Sequence, residues 1–142
     1  MSTAASLTAA PARSRALHIA LWVAQILLAV TYGAAGFMKS TMPIPALAAM
    51  MIWPGVVPVF LVRFIGVAEL AGALGLILPA ALRIAPSLTV LAGAGLALIQ
   101  VLAIPFHVVR GEAEMLPVNV VLLGLSLFIV WGRWRKAAVL PR

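Results

Sequence analysis

Glu69 and Arg63 are charged residues inside one strongly apolar stretch, residues 63–79 (RFIGVAELAGALGLILP). The stretch is long enough to cross a bilayer as a helix, which takes about 17–25 residues. A charged group in hydrocarbon costs about 2.5–3.5 kcal/mol on insertion scales, so such side chains normally face a bundle interior or a wet cavity. Glu69 is therefore the first candidate catalytic residue, as a proton relay. The alternative is that it only holds helices together through one hydrogen bond.

Other apolar stretches carry polar side chains spaced seven residues apart. Seven residues is nearly two helical turns, so each set lies on one helix face that points to neighbouring helices. The sets are Gln25, Tyr32 and Lys39, then Gln100 and His107 with Gly93 at the same spacing, then Asn119, Ser126 and Arg133. We predict that His107 joins Glu69 as a catalytic residue. The predicted ligand-binding residues are Tyr32, Lys39, Arg63, Gln100 and Asn119.

The partner expected for Glu69 is a neutral side chain. Arg63 lies about 120° around the helix and about 9 Å along it, unlike the i,i+3 and i,i+4 pairs that meet. Lys39 ends the first predicted span and is expected at the membrane surface. Tyr32 and Gln100 come closest to the depth of Glu69. We therefore expect a protonated Glu69 that is hydrogen-bonded to Tyr32 or Gln100.

Composition identifies an integral membrane protein. Of its 142 residues, 65% are hydrophobic and 9% are charged, and the mean hydropathy is +1.19. The net charge of +7 comes from basic residues at the span ends. Basic residues at span ends meet anionic lipid headgroups, so the positive net charge does not indicate a nucleic acid. We therefore predict no nucleic-acid partner. The chain has no cysteine, which excludes disulfides and thiolate metal sites.

The predicted fold is an all-α membrane bundle of four helices, which span residues 16–38, 59–79, 87–106 and 117–132. This membrane domain covers residues 16–134. Residues 1–15 are predicted to be a disordered cytoplasmic tail, and residues 135–142 a basic one. The Pro-rich residues 40–58 are too interrupted to span and are expected at the interface, with Trp53 as an anchor. They serve either as a lid or as a passive connector.

Orientation follows from the Lys and Arg residues alone. Arg13, Arg15, Arg83 and the C-terminal basic residues outnumber Lys39, Arg63 and Arg110 on the other side. We therefore expect a multi-pass protein of the bacterial inner membrane with both termini cytoplasmic. The polar side chains then form a pocket open to the periplasm.

No metal site is predicted. His107, Glu112 and Glu114 lie close in sequence, but they include only one imidazole and lack the spacing of a second ligand. A metal at this position is therefore a poor hypothesis.

Several short motifs resemble those of the DoxX-like family of small bacterial membrane proteins. They are residues 36–39 (GFMK), 60–66 (FLVRFIG), 68–79 (AELAGALGLILP), 106–112 (FHVVRGE) and 116–119 (LPVN). Each motif is short, but their order and spacing extend the resemblance over nearly the whole chain after residue 15.

The resemblance implies a four-helix membrane bundle. Some members are named as subunits of quinone-linked oxidoreductases, such as thiosulfate:quinone oxidoreductase, and others as partners in redox-stress membrane complexes. A distant animal relative is a chaperone for acetylcholine receptors, so the fold does not fix the activity. Glu69, His107 and Asn119 fall where the family's recurring polar residues fall, and no catalytic mechanism comes with them.

Two classes of function stay open, and with them whether the chain is an enzyme. In the first class, the bundle binds a quinone or a similar amphipathic small molecule. The chain has no intrinsic cofactor motif, so electrons come from a redox partner protein. In the second class, the chain is a membrane chaperone or assembly factor that holds another membrane protein. Formation of a homo-oligomer also stays open.

Overall fold

The computed structural model describes residues 15–142, and every regular element in that range is helical. The tail predicted for residues 1–15 lies outside the described residues, except for Arg15, which begins the first helix. The α-helices are α1 (Arg15–Thr41), α2 (Ile44–Met51), α3 (Val59–Leu82), α4 (Ser87–Val109) and α5 (Leu116–Trp131). Two 3-10 turns, Trp53–Gly55 and Ala113–Met115, and a π-helical turn, Gly132–Lys136, complete the described chain.

Four helical segments are long and apolar enough to cross a membrane, which confirms the predicted fold class. Their mean hydropathies lie between 1.7 and 2.1, and they are Arg15–Thr41, Val59–Leu82, Ser87–Val109 and Ala113–Lys136. The helices run past several of the predicted span ends. In α3, Pro79 lies inside the helix, which continues to Leu82 and ends where Arg83 adopts a left-handed conformation (φ 58°).

The Pro-rich segment between α1 and α3 folds back onto the bundle. Pro45 occupies the first turn of α2, where its missing N–H breaks no helical hydrogen bond. Leu47 is fully buried, and Pro54 is buried as well. The Trp53 ring packs edge-to-face on Phe106 of α4, with 6.5 Å between ring centroids. The segment therefore covers one end of the bundle.

Small residues allow the long helices to approach closely. A Cβ atom at Gly36 of α1 would lie 2.7 Å from the carbonyl oxygen of Gly66 in α3. On the other side of α3, a Cβ at Gly72 would lie 2.6 Å from Leu96, and one at Gly75 would lie 2.8 Å from Ala92. These contacts place α3 between α1 and α4, as expected where membrane helices associate through close backbone packing.

The two ends of the bundle differ in charge. We call the end of the bundle that holds Arg15, Arg83 and the C-terminal residues the terminal end. The opposite half of the bundle, which holds the end of α1 and the start of α3, is called the loop half. All three acidic side chains of the chain are in the loop half: Glu69, Glu112 and Glu114. The terminal end carries the basic side chains of Arg15, Arg83, Arg133, Arg135, Lys136 and Arg142.

Candidate functional site

Glu69 forms an ion pair with Lys39. The Lys39 Nζ atom lies 2.7 Å from Oε1 and 2.8 Å from Oε2 of Glu69. Both residues are buried, at 3% and 8% relative exposure for Glu69 and Lys39. The prediction of a neutral partner, Tyr32 or Gln100, is wrong. Lys39, which is expected at the membrane surface, lies in the last turn of α1 with its side chain directed to Glu69.

The error in the partner of Glu69 has a geometric cause. The ends of the predicted spans do not report how far two antiparallel helices slide past each other. Gly36 packs directly on Gly66, and the Lys39 Cβ lies only 2.8 Å from where a Cβ at Gly66 would be. This register places the Lys39 side chain one turn of α3 away from Glu69, well within its reach.

Arg63 caps the end of α1 instead of pairing with Glu69. Its Nη1 donates to the carbonyl of Lys39 at 2.6 Å, and its Nη2 donates to the carbonyl of Met42 at 2.8 Å. The last carbonyls of a helix have no partner within the helix, so a cation placed there satisfies them. Arg63 thereby holds the backbone that carries Lys39.

Tyr32 and Gln100 are paired with each other in the interior. Gln100 Nε2 donates to the Tyr32 hydroxyl at 2.8 Å, and both residues are buried. The Gln100 Oε1 atom has no hydrogen-bond partner among the described residues. A buried acceptor left without a donor costs about 1–3 kcal/mol, so this atom is one that a ligand could satisfy.

His107 is bound to the loop after α4. Its Nδ1 lies 2.6 Å from Oε2 of Glu112, while Arg110 Nε donates to Oε1 of the same carboxylate at 2.8 Å. Hydrogen bonds from His107 and Arg110 hold the pKa of Glu112 below its usual value. Glu112 is thus already engaged through both oxygens, which weakens any metal hypothesis for this loop.

Asn119 lies near the start of α5 and is half-buried. Its Nδ2 atom is buried and has no hydrogen-bond partner among the described residues. The structure therefore groups the predicted site residues into the Lys39–Glu69 pair with Arg63 beside it, the Tyr32–Gln100 pair, and His107 with Glu112. Asn119 shares no hydrogen bond with any of them.

Arg133 is a buried residue whose role was missed in the sequence. By its position it belongs with the basic residues near the C-terminus, yet it is only 3% exposed. Its Nε donates to Gln25 Oε1 at 2.6 Å, and its guanidinium lies over the Trp22 ring at 5.3 Å. The seven-residue spacing from Asn119 and Ser126 was the signal that placed it on an interior face.

The polar face of α1 is occupied along its length by contacts to other helices. Lys39 contacts α3, and Tyr32 contacts α4. Gln25 donates to the carbonyl of Leu76 in α3 and accepts from Arg133. The face predicted to point to neighbouring helices does so.

These features define a class of protein, an all-α integral membrane protein whose long helices are joined by buried polar and charged pairs. The DoxX-like family model matches residues 23–129. This match covers more than half of the chain, so the chain belongs to the DoxX-like family. No curated protein and no solved structure matches it.

Proposed function

We propose that this DoxX-like protein is a membrane subunit or accessory of a quinone-linked oxidoreductase or redox-stress complex. In this proposal, its loop half binds a quinone or a similar amphipathic small molecule. The observation that carries the proposal is the pair of unsatisfied buried atoms, Gln100 Oε1 and Asn119 Nδ2. One is an acceptor and the other a donor, which suits a head group that carries hydroxyls or carbonyls.

The chain's own residues would bind and orient such a ligand. Asn119 Nδ2 can donate to a carbonyl, and Gln100 Oε1 can accept from a hydroxyl while its amide nitrogen is held by Tyr32. Glu69, paired with Lys39, and His107, paired with Glu112, are two ionisable groups of that half that can exchange protons. A quinone supplies two-electron redox chemistry when bound, and the electrons come from a partner protein.

The proposed location is the bacterial inner membrane, with both termini in the cytoplasm. The support is the excess of basic side chains at the terminal end, since cytoplasmic loops are richer in Lys and Arg. The loop half and its ligand then lie toward the periplasm.

Ligand binding can be tested on protein purified in nanodiscs. We expect mass spectrometry of the retained small molecules to find a quinone, and a short-chain ubiquinone to raise the Tm. Gln100→Leu and Asn119→Leu should each weaken binding by about tenfold, the value of one hydrogen bond to a buried group. Thr31→Val is the matched control, because Thr31 is exposed and its hydroxyl bonds only within its own helix. No retained quinone and no Tm shift would contradict the proposal.

A second function is a membrane chaperone or assembly factor, and one observation favours it. Gly95 and Gly124 are exposed on α4 and α5, and a Cβ at either would meet no atom within 4 Å. Gly66, Gly72 and Gly75, by contrast, are already packed within the chain. The two exposed glycines therefore provide positions where a partner's transmembrane helix could approach closely.

The partner hypothesis predicts a different result. A stoichiometric membrane protein should co-purify with the wild type, and Gly95→Leu or Gly124→Leu should remove it while leaving the Tm unchanged. The control is Ala94→Leu, which places the same leucine side chain at another exposed position of α4. If the glycine variants retain the partner, or if no partner co-purifies, the chaperone function is rejected.

A further inference from the structure

Arg133 is a buried cation without an anionic partner. Its contacts are Gln25 Oε1, 2.6 Å from Nε, and the Ala137 carbonyl and His18 Nδ1, each 3.1 Å from Nη1, and none of these groups is an anion. None of the ion pairs within residues 15–142 includes Arg133. The three acidic side chains lie in the loop half, at the other end of the bundle. Buried charges in proteins are normally paired, so this arrangement calls for an anion from outside the chain.

A cavity of about 200 Å³ lies beside Arg133. It is bordered by the start of α4, with Ser87 and Thr89, by the π-helical turn, with Arg133 and Trp134, and by Val139 of the C-terminal residues. A water molecule occupies about 30 Å³ in the liquid, so the cavity has room for a tetrahedral oxyanion.

Two polar atoms on side chains that line this cavity have no hydrogen-bond partner among the described residues. They are Nη2 of Arg133 and Oγ1 of Thr89. Both residues are more than nine-tenths buried, at 3% and 1% relative exposure for Arg133 and Thr89. A guanidinium N–H and a hydroxyl are both hydrogen-bond donors, and together they match the oxygens of an anion.

The start of α4 adds positive potential to the same cavity. The helix is 23 residues long, and its first residues, Ser87 and Thr89, line the cavity. The N-terminal end of a helix carries about half a positive charge and presents N–H groups to anions. No acidic side chain lies at this end to compete for these donors.

A second cavity adjoins the first. It has a volume of about 540 Å³ and includes Trp22, Ala80 and Leu140 in its lining. Ala138 and Val139 line both cavities, and the larger one is mainly apolar, with Arg15, His18 and Arg83 also in its lining. An anionic group in the first cavity could thus continue into apolar substituents in the second.

We propose that the cavity at Arg133 and Thr89 binds a phosphate group, carried either by an anionic phospholipid or by a free phosphate compound. Arg133 supplies the charge and one N–H donor, and the Thr89 hydroxyl supplies another donor. The site lies at the terminal end, apart from Gln100 and Asn119, and does not depend on the quinone proposal.

The test compares three environments for the full chain. Protein is placed in nanodiscs of phosphatidylcholine alone, in phosphatidylcholine with phosphatidylglycerol, and in phosphatidylcholine with inorganic phosphate at ionic strength matched by chloride. We measure the Tm in each, and native mass spectrometry counts the lipids retained after release into detergent. A Tm increase with phosphatidylglycerol, together with retained lipid, identifies a lipid phosphate. An increase with inorganic phosphate alone identifies a free phosphate compound.

Thr89→Val is the decisive variant because it removes the Thr89 hydroxyl, which has no hydrogen-bond partner among the described residues, and leaves Arg133 in place. If Thr89 has a purely structural role, this change leaves ligand response unaltered and the Tm equal or higher, since an unsatisfied buried hydroxyl is lost. The proposal instead predicts about tenfold weaker binding of the responding ligand, with Thr31→Val unchanged. Arg133→Lys should also bind the responding ligand weakly, since lysine keeps the positive charge but lacks the planar set of N–H donors of a guanidinium. A wild type that responds to neither ligand, or a Thr89→Val protein that binds like the wild type, overturns the proposal.

Discussion

At the scale of single residues, the Lys39–Glu69 pair is the main polar feature of the loop half. Both Glu69 oxygens lie within 2.8 Å of Lys39 Nζ, and the Trp53 ring lies 5.6 Å from the same atom. Burial makes the two charges interdependent, because either one alone would be left in an apolar interior. The pair thus links α1 to α3 in the register that the contact between Gly36 and Gly66 sets.

This interdependence can be measured in a double-mutant cycle. Lys39→Met and Glu69→Gln should each lower the free energy of unfolding by about 3–5 kcal/mol, because each leaves a buried partner without its counter-charge. The free energy of unfolding of the double variant should fall by much less than the sum of the two single losses. Thermal or denaturant unfolding in detergent gives the values. Additive losses would show that the pair contributes no coupling.

At the scale of elements, the contact between α1 and α3 depends on two glycines. Gly36 lies against the backbone of Gly66 and Leu70, which cannot move aside as a flexible side chain can. Arg63 then caps the end of α1 from α3. Backbone packing, helix capping and the ion pair therefore act on the same interface.

The contact makes a sharp prediction for alanine substitutions. Gly36→Ala should lower the Tm, because the new Cβ would lie 2.7 Å from the Gly66 carbonyl oxygen. Gly124→Ala is the matched control in α5, where a Cβ meets nothing within 4 Å. The control should leave the Tm equal or raise it, since alanine favours a helix by up to about 1 kcal/mol over glycine. Equal effects of the two variants would contradict the packing argument.

At the scale of the whole molecule, the two ends of the bundle differ in charge, and this difference is the basis for the proposed orientation in the membrane. Basic side chains dominate the terminal end, whereas the loop half combines all the acidic residues with Lys39, Arg63 and Arg110. A phosphate site at Arg133 would use the same asymmetry, since anionic headgroups meet the basic end of the bundle.

Orientation can be measured directly because the chain has no cysteine of its own. We expect Ala113→Cys, in the exposed turn before α5, to react with a membrane-impermeant thiol reagent in intact cells. Cysteines at Ser2 and Arg142 should react only after the membrane is opened. Labelling of either terminus in intact cells would reverse the proposed orientation, which follows from the distribution of Lys and Arg.

The sequence by itself determined the class of protein, the four long helices and the buried faces of those helices. These properties depend on composition and on seven-residue spacing, which are local and survive any arrangement of the helices. The buried positions of Gln25, Tyr32 and Gln100 follow from such spacing, and so does the lack of a direct pair between Arg63 and Glu69.

Only the tertiary structure decided which polar residues meet. The partner of Glu69 depends on how far α1 slides along α3, and that distance is set by the close approach of Gly36 to Gly66. Arg133 lacks an acidic partner because of the way α5 and the π-helical turn pack on α1, with Gln25 as the residue within reach. Both outcomes depend on the relative placement of distant segments, which no local pattern encodes.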